Sequence, residues 1–260
     1  MAKLNAHGWT ALEVLSDGEV LEVALNRADA QNAINALIVS ELHEMCGALE
    51  QSPRILILTG GEDGVFAAGA DITELAGRGR QDALEAINLS LFERIRALPL
   101  PTIAAIDGYA LGGGAELAYA CDVRVATPRA VFGQPEPRLG IIAAAGGCFR
   151  LPEIVGVALA RDMLLTGRKL DAEEALAAGL VTRTAEPGSL LETARAVASE
   201  MLKSSKMALR LTKIAINAGP EAHPSIEQLA QAVLFEDDEK AARMSRFMDK
   251  GANDHPRGKE

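Results

Sequence analysis

Ala105-Ile-Asp-Gly-Tyr-Ala-Leu-Gly-Gly-Gly-Ala-Glu-Leu117 is the stretch that decides how this 260-residue chain reads. Immediately before it, Thr102 to Ile106 is short, apolar and branched, the pattern of a strand buried on both faces. The triple glycine then lets backbone approach backbone or ligand closely, and it opens a helix that carries Glu116 near its start. A buried strand, a glycine turn and a helix with an early carboxylate point to α/β architecture with a site at the turn.

Working outward, the same alternation recurs on both sides. Trp9 to Val14 and Val20 to Leu25 read as paired strands, with Ser16-Asp-Gly18 as their turn. Ile34, Leu37, Leu42, Met45 and Leu49 recur at helical spacing, and Ile55 to Leu58 is a second buried strand. A helix over Asp82 to Leu98 and a strand over Asp122 to Ala126 complete the alternating part. From about Leu190 onward strand signals stop, and helical periodicity runs through Lys213 and again from Ser225 to Met248. Asn217-Ala-Gly-Pro220 separates these two stretches, because glycine and proline stop helix propagation. The polar end, Gly251 to Glu260, reads as a frayed terminus. The division is thus a core over residues 1–190 and a helical region over 191–260.

Composition bounds the chemistry. Nearly half of the residues are hydrophobic, enough for a sizeable core. A formal charge of −10 argues against general affinity for nucleic acid or for an anionic membrane surface. No apolar run is long enough to span a bilayer, and the first residues lack the apolar segment of a secretory leader. Three widely spaced cysteines, Cys46, Cys121 and Cys148, suggest neither a disulfide framework nor zinc spacing, so a reducing, cytoplasmic compartment is expected. His7, His43, His223 and His255 lie outside every motif. Thr59 to Gly64 and Gly108 to Gly114 lack the endings and spacings of nucleotide loops.

The chemistry concentrates on two glutamates beside turns, Glu116 and Glu136 of Phe132-Gly-Gln-Pro-Glu136. Two carboxylates in one apolar site divide acid and base work, because burial and mutual repulsion drive their pKa values apart. A second glycine-bearing segment, Phe66-Ala-Ala-Gly-Ala-Asp-Ile72, offers small residues around Ala70. The N–H of Ala70 and that of Gly113 could converge on one bound oxygen, forming an oxyanion hole.

These segments, with Leu25-Asn-Arg27, Asn32-Ala33, Cys121-Asp122, Ala145-Gly-Gly147, Leu165-Thr-Gly167 and Ala178-Gly-Leu-Val181, resemble the enoyl-CoA hydratase (crotonase) family. The resemblance covers nearly the whole chain and fades in the last helices. It implies a spiral of β-β-α units, a C-terminal helical region that builds trimers or dimers of trimers, and acyl-CoA thioesters as substrates. By motif it assigns the oxyanion hole to Ala70 and Gly113, and substrate contacts to Ala68, Ala70, Asp71, Ile72 and Gly113. Glutamate at both positions, Glu116 and Glu136, is similar to members that hydrate a trans-2-enoyl-CoA, with coenzyme A part of the substrate and no separate cofactor or metal. In that reaction Glu116 deprotonates the water and Glu136 supplies the α-proton.

Three departures from the family pattern stand out. Ala28-Asp29 replaces a common Pro-Lys, Thr73 replaces a common Lys, and Ile142-Ala-Ala-Ala145 replaces a common Pro and Gly before the paired glycines. Arg27, Arg78, Arg80 and Lys250 are the candidates to replace those contacts to the CoA phosphates, although each reads first as a solvated surface charge, and Ala144 would crowd the water or the acyl chain. Other functions remain open on the same scaffold: a double-bond isomerase, a specialised hydrolase, lyase or dehalogenase, and a non-catalytic binder of acyl-CoA or RNA.

Overall fold

Runs of branched apolar residues become one six-stranded sheet, and the computed structural model describes it within residues 8–61 and 64–254. β1 (Leu12–Asp17) and β2 (Val20–Leu25) form an antiparallel hairpin with Leu12 opposite Leu25. The register shifts between Val14 and Ser16, which leaves Leu15 exposed at the bulge. Against the expected span of Trp9 to Val14, the first strand starts and ends later, because Glu41 accepts from the N–H groups of Thr10, Ala11 and Leu12 and so draws the entry of the strand onto a helix. That helix is α1 (Ala36–Gln51); Asn35 caps it by accepting from Ile38 N at 3.0 Å, and Ile38, Leu42, Met45 and Leu49 form its buried stripe.

β3 (Ile55–Thr59) and β4 (Thr102–Ile106) are buried at every residue, as parallel strands covered on both faces must be. Between them lie α2 (Ile72–Gly77), α3 (Arg80–Glu85) and α4 (Ile87–Arg96). The single helix expected over Asp82 to Leu98 is therefore two. Ala86 adopts φ 51°, a left-handed conformation that ends one helix and starts the next. β5 (Tyr109–Leu111), α5 (Gly113–Ala120), β6 (Val123–Ala126) and β7 (Val131–Gly133) follow, then a 3₁₀ turn at Glu136–Leu139. α6 (Gly147–Val155), α7 (Val157–Thr166), β8 (Lys169–Asp171), α8 (Ala172–Ala177), β9 (Arg183–Thr184) and α9 (Leu190–Leu202) continue the chain.

The large sheet has the order β1-β2-β3-β4-β6-β9, parallel after the opening hairpin, and β5-β7-β8 form a smaller one. Each of β3, β4 and β6 is followed by a short extended segment outside the large sheet, the β-β-α repeat. Those segments stack in register: Ala67 bridges Ala110 in parallel, and Ala110 pairs with Phe132. Ala70 and Gly113 each lie three residues beyond a member of that row, and Glu136 lies four beyond. Three motifs far apart in sequence therefore end at the same edge.

The chain divides into two compact units, Met1–Ser199 and Glu200–Glu260. In the second, α10 (Lys206–Asn217), α11 (Ser225–Phe235) and α12 (Asp238–Asp254) follow one another, with Ser205 capping α10 through Ala208 N at 3.3 Å. The helix expected over Ser225 to Met248 is interrupted at Glu236 and Asp237, and Asp237 accepts from Glu239 N at the start of α12. α12 continues to Asp254 where a frayed end was expected; residues 255–260, including His255, lie outside the described residues, as do residues 1–7 and Glu62–Asp63.

Candidate active site

The common edge of the three stacked segments opens into a cleft of about 830 Å³. Ala68, Ala70, Ile72, Gly113, Glu116 and Glu136 all line it.

The 66–72 segment is anchored through Ile34. Its N–H donates to Gly69 O at 2.8 Å and its carbonyl accepts from Asp71 N at 2.9 Å. Because Ile34 uses the groups flanking Ala70, the N–H of Ala70 itself faces the opposite way. Gly113 is the first residue of α5, so its N–H has no intrahelical acceptor. The two backbones are close: a Cβ on Gly113 would stand 3.5 Å from Ala70 N. What permits this approach is Gly114, where a Cβ would meet Ala67 O at 2.1 Å. The third glycine of the run is thus required by packing, and the second one carries the amide.

Glu116, in the first turn of α5, is buried. Its Oε1 accepts from Ala145 N and Gly147 N, both at 2.8 Å. Burial raises its pKa above the ordinary carboxylate value, opposed by those two N–H groups and by the Arg150 charge. Glu136 sits in the 3₁₀ turn, 7% exposed, with its carboxylate over the start of α5. Gly112 makes room for it, with φ 50° and a Cβ position only 2.7 Å from Glu136 Oε1. The Gln134 amide, with its nitrogen turned toward Glu136, donates to Oε2 at 2.9 Å and Oε1 at 3.1 Å. Burial first, then the nearby Glu116 charge, push the Glu136 carboxyl up to about 7. One carboxyl is thus held by two amides and faces an arginine, while the other has a pKa near neutrality.

Asp71 is placed differently from Ala68, Ala70, Ile72 and Gly113. It does not line the cleft; its Oδ1 caps α2 by accepting from Thr73 N and Glu74 N, and its Oδ2 pairs with Arg27. Those contacts hold its pKa below the ordinary value, the Glu74 amide first. Arg27 is thereby committed within the fold, whereas Arg78 and Arg80 line the α2–α3 end of the cleft. The side chain of Lys250 lies outside the described residues. Ala144 lines the cleft beside Ala145.

Cys148 and His43 are placed away from the roles of nucleophile and base. Cys148 has its pKa raised by burial and by the two glutamates, the reverse of an activated thiol. His43 Nδ1 lies 3.2 Å from Arg94 Nη1, and His43 does not line the cleft. Among the described residues no cluster of three or more His, Cys, Asp or Glu could hold a metal ion, and no helix is long and apolar enough to cross a membrane.

Sequence reasoning assigned no role to three residues of this region. Gln134 stood inside a quoted motif, so its place beside Glu136 was in view. Asn88 lines the cleft with a buried Oδ1 that has no hydrogen-bond partner, and Arg150 reaches the loop that holds Glu116. Neither carried a signal, since both are polar residues on amphipathic helices.

The Enoyl-CoA hydratase/isomerase family model matches residues 16–254, and the chain belongs to that family. It is 36% identical over 244 residues to a short-chain-enoyl-CoA hydratase of Clostridium acetobutylicum, covering 90% of this chain and 93% of that one. It is 37% identical over 246 residues to a crotonyl-CoA hydratase of Syntrophomonas wolfei, covering 91% and 95%. Among solved structures it is similar to an enoyl-CoA hydratase from Bacillus anthracis, with a TM-score of 0.86, 33% identity and coverage of 93% and 97%. The β-β-α spiral with its helical C-terminal region is accordingly the crotonase fold.

Proposed function

We propose that this chain is an enoyl-CoA hydratase, a hydro-lyase that reversibly adds water across the double bond of a trans-2-enoyl-CoA. The observation that carries the reading is the pairing of two buried glutamates with two outward backbone amides in one cleft. Relatives named as short-chain-enoyl-CoA and crotonyl-CoA hydratases support it.

In this reading the thioester carbonyl accepts from Ala70 N–H and Gly113 N–H. Both are backbone donors that hardly reorganise, and they act where charge gathers as the enolate forms. Glu116, ionised, takes a proton from water as its oxygen attacks the β-carbon. Glu136, protonated, delivers a proton to the α-carbon, and the enolate collapses to the saturated 3-hydroxyacyl thioester. In this reading both carboxyls act from one side of an acyl chain bound in the cleft they share, which makes the addition syn. The reverse reaction exchanges their roles. Water and the chain's own carboxyls suffice, with no cofactor beyond the CoA carried by the substrate.

Ala68, Ile72 and the apolar wall of Ile87, Leu89 and Ile142 offer an acyl-binding surface, with Arg78 and Arg80 as candidates for the CoA phosphates. Exposed Ile214, Ile216, Leu229, Val233 and Phe247 on α10–α12 fit association into a trimer or a pair of trimers. Three free thiols fit a cytoplasmic location.

The test is loss of the conjugated-thioester absorbance when purified protein meets crotonyl-CoA, with a 3-enoyl-CoA supplied in parallel. Loss from the first supports hydration. Conversion of the second to the conjugated thioester, with no loss from the first, would make the chain an isomerase instead.

A further inference from the structure

Arg150, on α6, is buried to 3% exposure and its guanidinium lies behind Ala145, a residue that lines the cleft. Its Nη1 donates to the Ala145 carbonyl at 3.3 Å, and its Nη2 donates to Glu93 Oε1 of α4 at 2.5 Å. Ala145 is therefore gripped on both sides, its carbonyl by Arg150 and its N–H by Glu116 Oε1 at 2.8 Å. The guanidinium lies directly against the turn, since a Cβ on Gly146 would stand 2.4 Å from Nη1. The next amide along, Gly147 N, is the second donor to Glu116.

A purely structural link between α4 and α6 would not need this arrangement. Burying a guanidinium costs several kcal/mol unless it is fully paired. Here Nε has no partner among the described residues, and the Glu93 side chain remains 44% exposed. The fold keeps an incompletely paired charge beside one carboxyl of the pair. Arg150 from α6 is the side-chain charge that acts on Glu116, and the Glu116 charge in turn raises the pKa of Glu136 in the 3₁₀ turn, of Cys148 on α6 and of Tyr119 on α5.

We propose that Arg150 is a positioning residue for hydration: through Ala145 it fixes the two N–H donors on Glu116, and it sets a positive charge beside the turn that holds that carboxylate. The direction of its effect on Glu116, downward against the upward push of burial, agrees. This inference rests on the hydratase reading, in which Glu116 is the base toward water.

Two variants that break the same ion pair separate this role from a structural one. Arg150→Met removes the positive charge, so the acidic limb of kcat/KM for crotonyl-CoA hydration should move to higher pH by about one unit or more. The kcat should also fall about tenfold or more as the loop loosens. Glu93→Gln leaves Arg150 without its counter-charge, so the limb should stay or move to lower pH. A merely structural bridge would lower the melting temperature in both variants and move both limbs alike. The carbon-13 carboxyl titration of Glu116, assigned by its loss in Glu116→Gln, reads the same shifts without turnover. An inactive wild type would therefore count against the hydratase reading, while the titration would still decide the role of Arg150. Should Arg150→Met not fold, Arg150→Gln carries the same expectation. A limb and a titration that do not rise without Arg150, or that rise in Glu93→Gln as well, would overturn the proposal.

Discussion

Gly114→Ala is the substitution whose consequence follows most directly from the packing. A methyl group there would stand 2.1 Å from Ala67 O and 2.7 Å from the carbonyl carbon and Cβ of Ala67. None of these is the free end of a flexible side chain. Ala67 O already accepts from Leu111 N at 3.1 Å, and Ala67 N donates to Tyr109 O at 3.0 Å, so the segment is pinned on the side that would have to yield. Relaxing from 2.1 Å to the 3.4 Å of ordinary contact displaces α5 from the 66–70 segment by about 1.3 Å. That displacement falls between Gly113 and Ala70. A misplacement of about 1 Å at reacting groups costs roughly a hundredfold, and loss of one oxyanion donor costs about 3 kcal/mol. Hydration of crotonyl-CoA by Gly114→Ala should thus fall about a hundredfold to a thousandfold in kcat, with stability lowered by about 1–3 kcal/mol from overpacking. Urea titration and steady-state kinetics on the same preparation measure both, with Gly77→Ala as the control because its Cβ would meet nothing within 4 Å. A Gly114→Ala protein that folds with wild-type kcat would refute the claim that this contact sets the amide pair.

Further expectations concern charge and anchoring. The Glu136 carboxyl titrates near 7 in the fold against about 4.5 unfolded, so the folded state binds the extra proton and stability falls as pH rises through that window. Glu136→Gln should therefore be more stable than wild type at pH 8, by up to about 3 kcal/mol, with the gain vanishing near pH 4.5; melting curves at the two pH values check it. For activity the same shift predicts an alkaline limb near pH 7 in the hydration direction, where Glu136 must enter protonated, although the limb belongs to the coupled pair. Glu41→Ala strands the buried N–H groups of Ala11 and Leu12 and should cost about 3 kcal/mol in urea unfolding while leaving kcat near wild type.

The sequence made the buried strands plain because continuous apolar runs such as Ile55–Thr59 have few other uses. It hid β5, β7 and β8, each three residues long and too short for a period to register. Two of them set the geometry of the site, since the stacking of β5 and β7 with the segment at Ala67 carries Ala70, Gly113 and Glu136 to one edge. The break at Ala86 was also invisible, because alanine is a strong helix former and its left-handed conformation is imposed by the surrounding fold. At the site itself, residues inside glycine motifs were legible, while Asn88 and Arg150 were not. Asp71 drew attention through its motif, but the structure gives its carboxylate to Arg27 and the α2 cap.

The division of labour between Glu116 and Glu136 is tested most directly by the product formed from crotonyl-CoA in heavy-oxygen water. Mass spectrometry of wild type, Glu116→Gln and Glu136→Gln reads the label. The wild type should place the heavy oxygen on the β-carbon, and each variant should do so at least about a hundredfold more slowly. Unlabelled thioester from the wild type, or labelling at the wild-type rate in either variant, would contradict the two-carboxyl account.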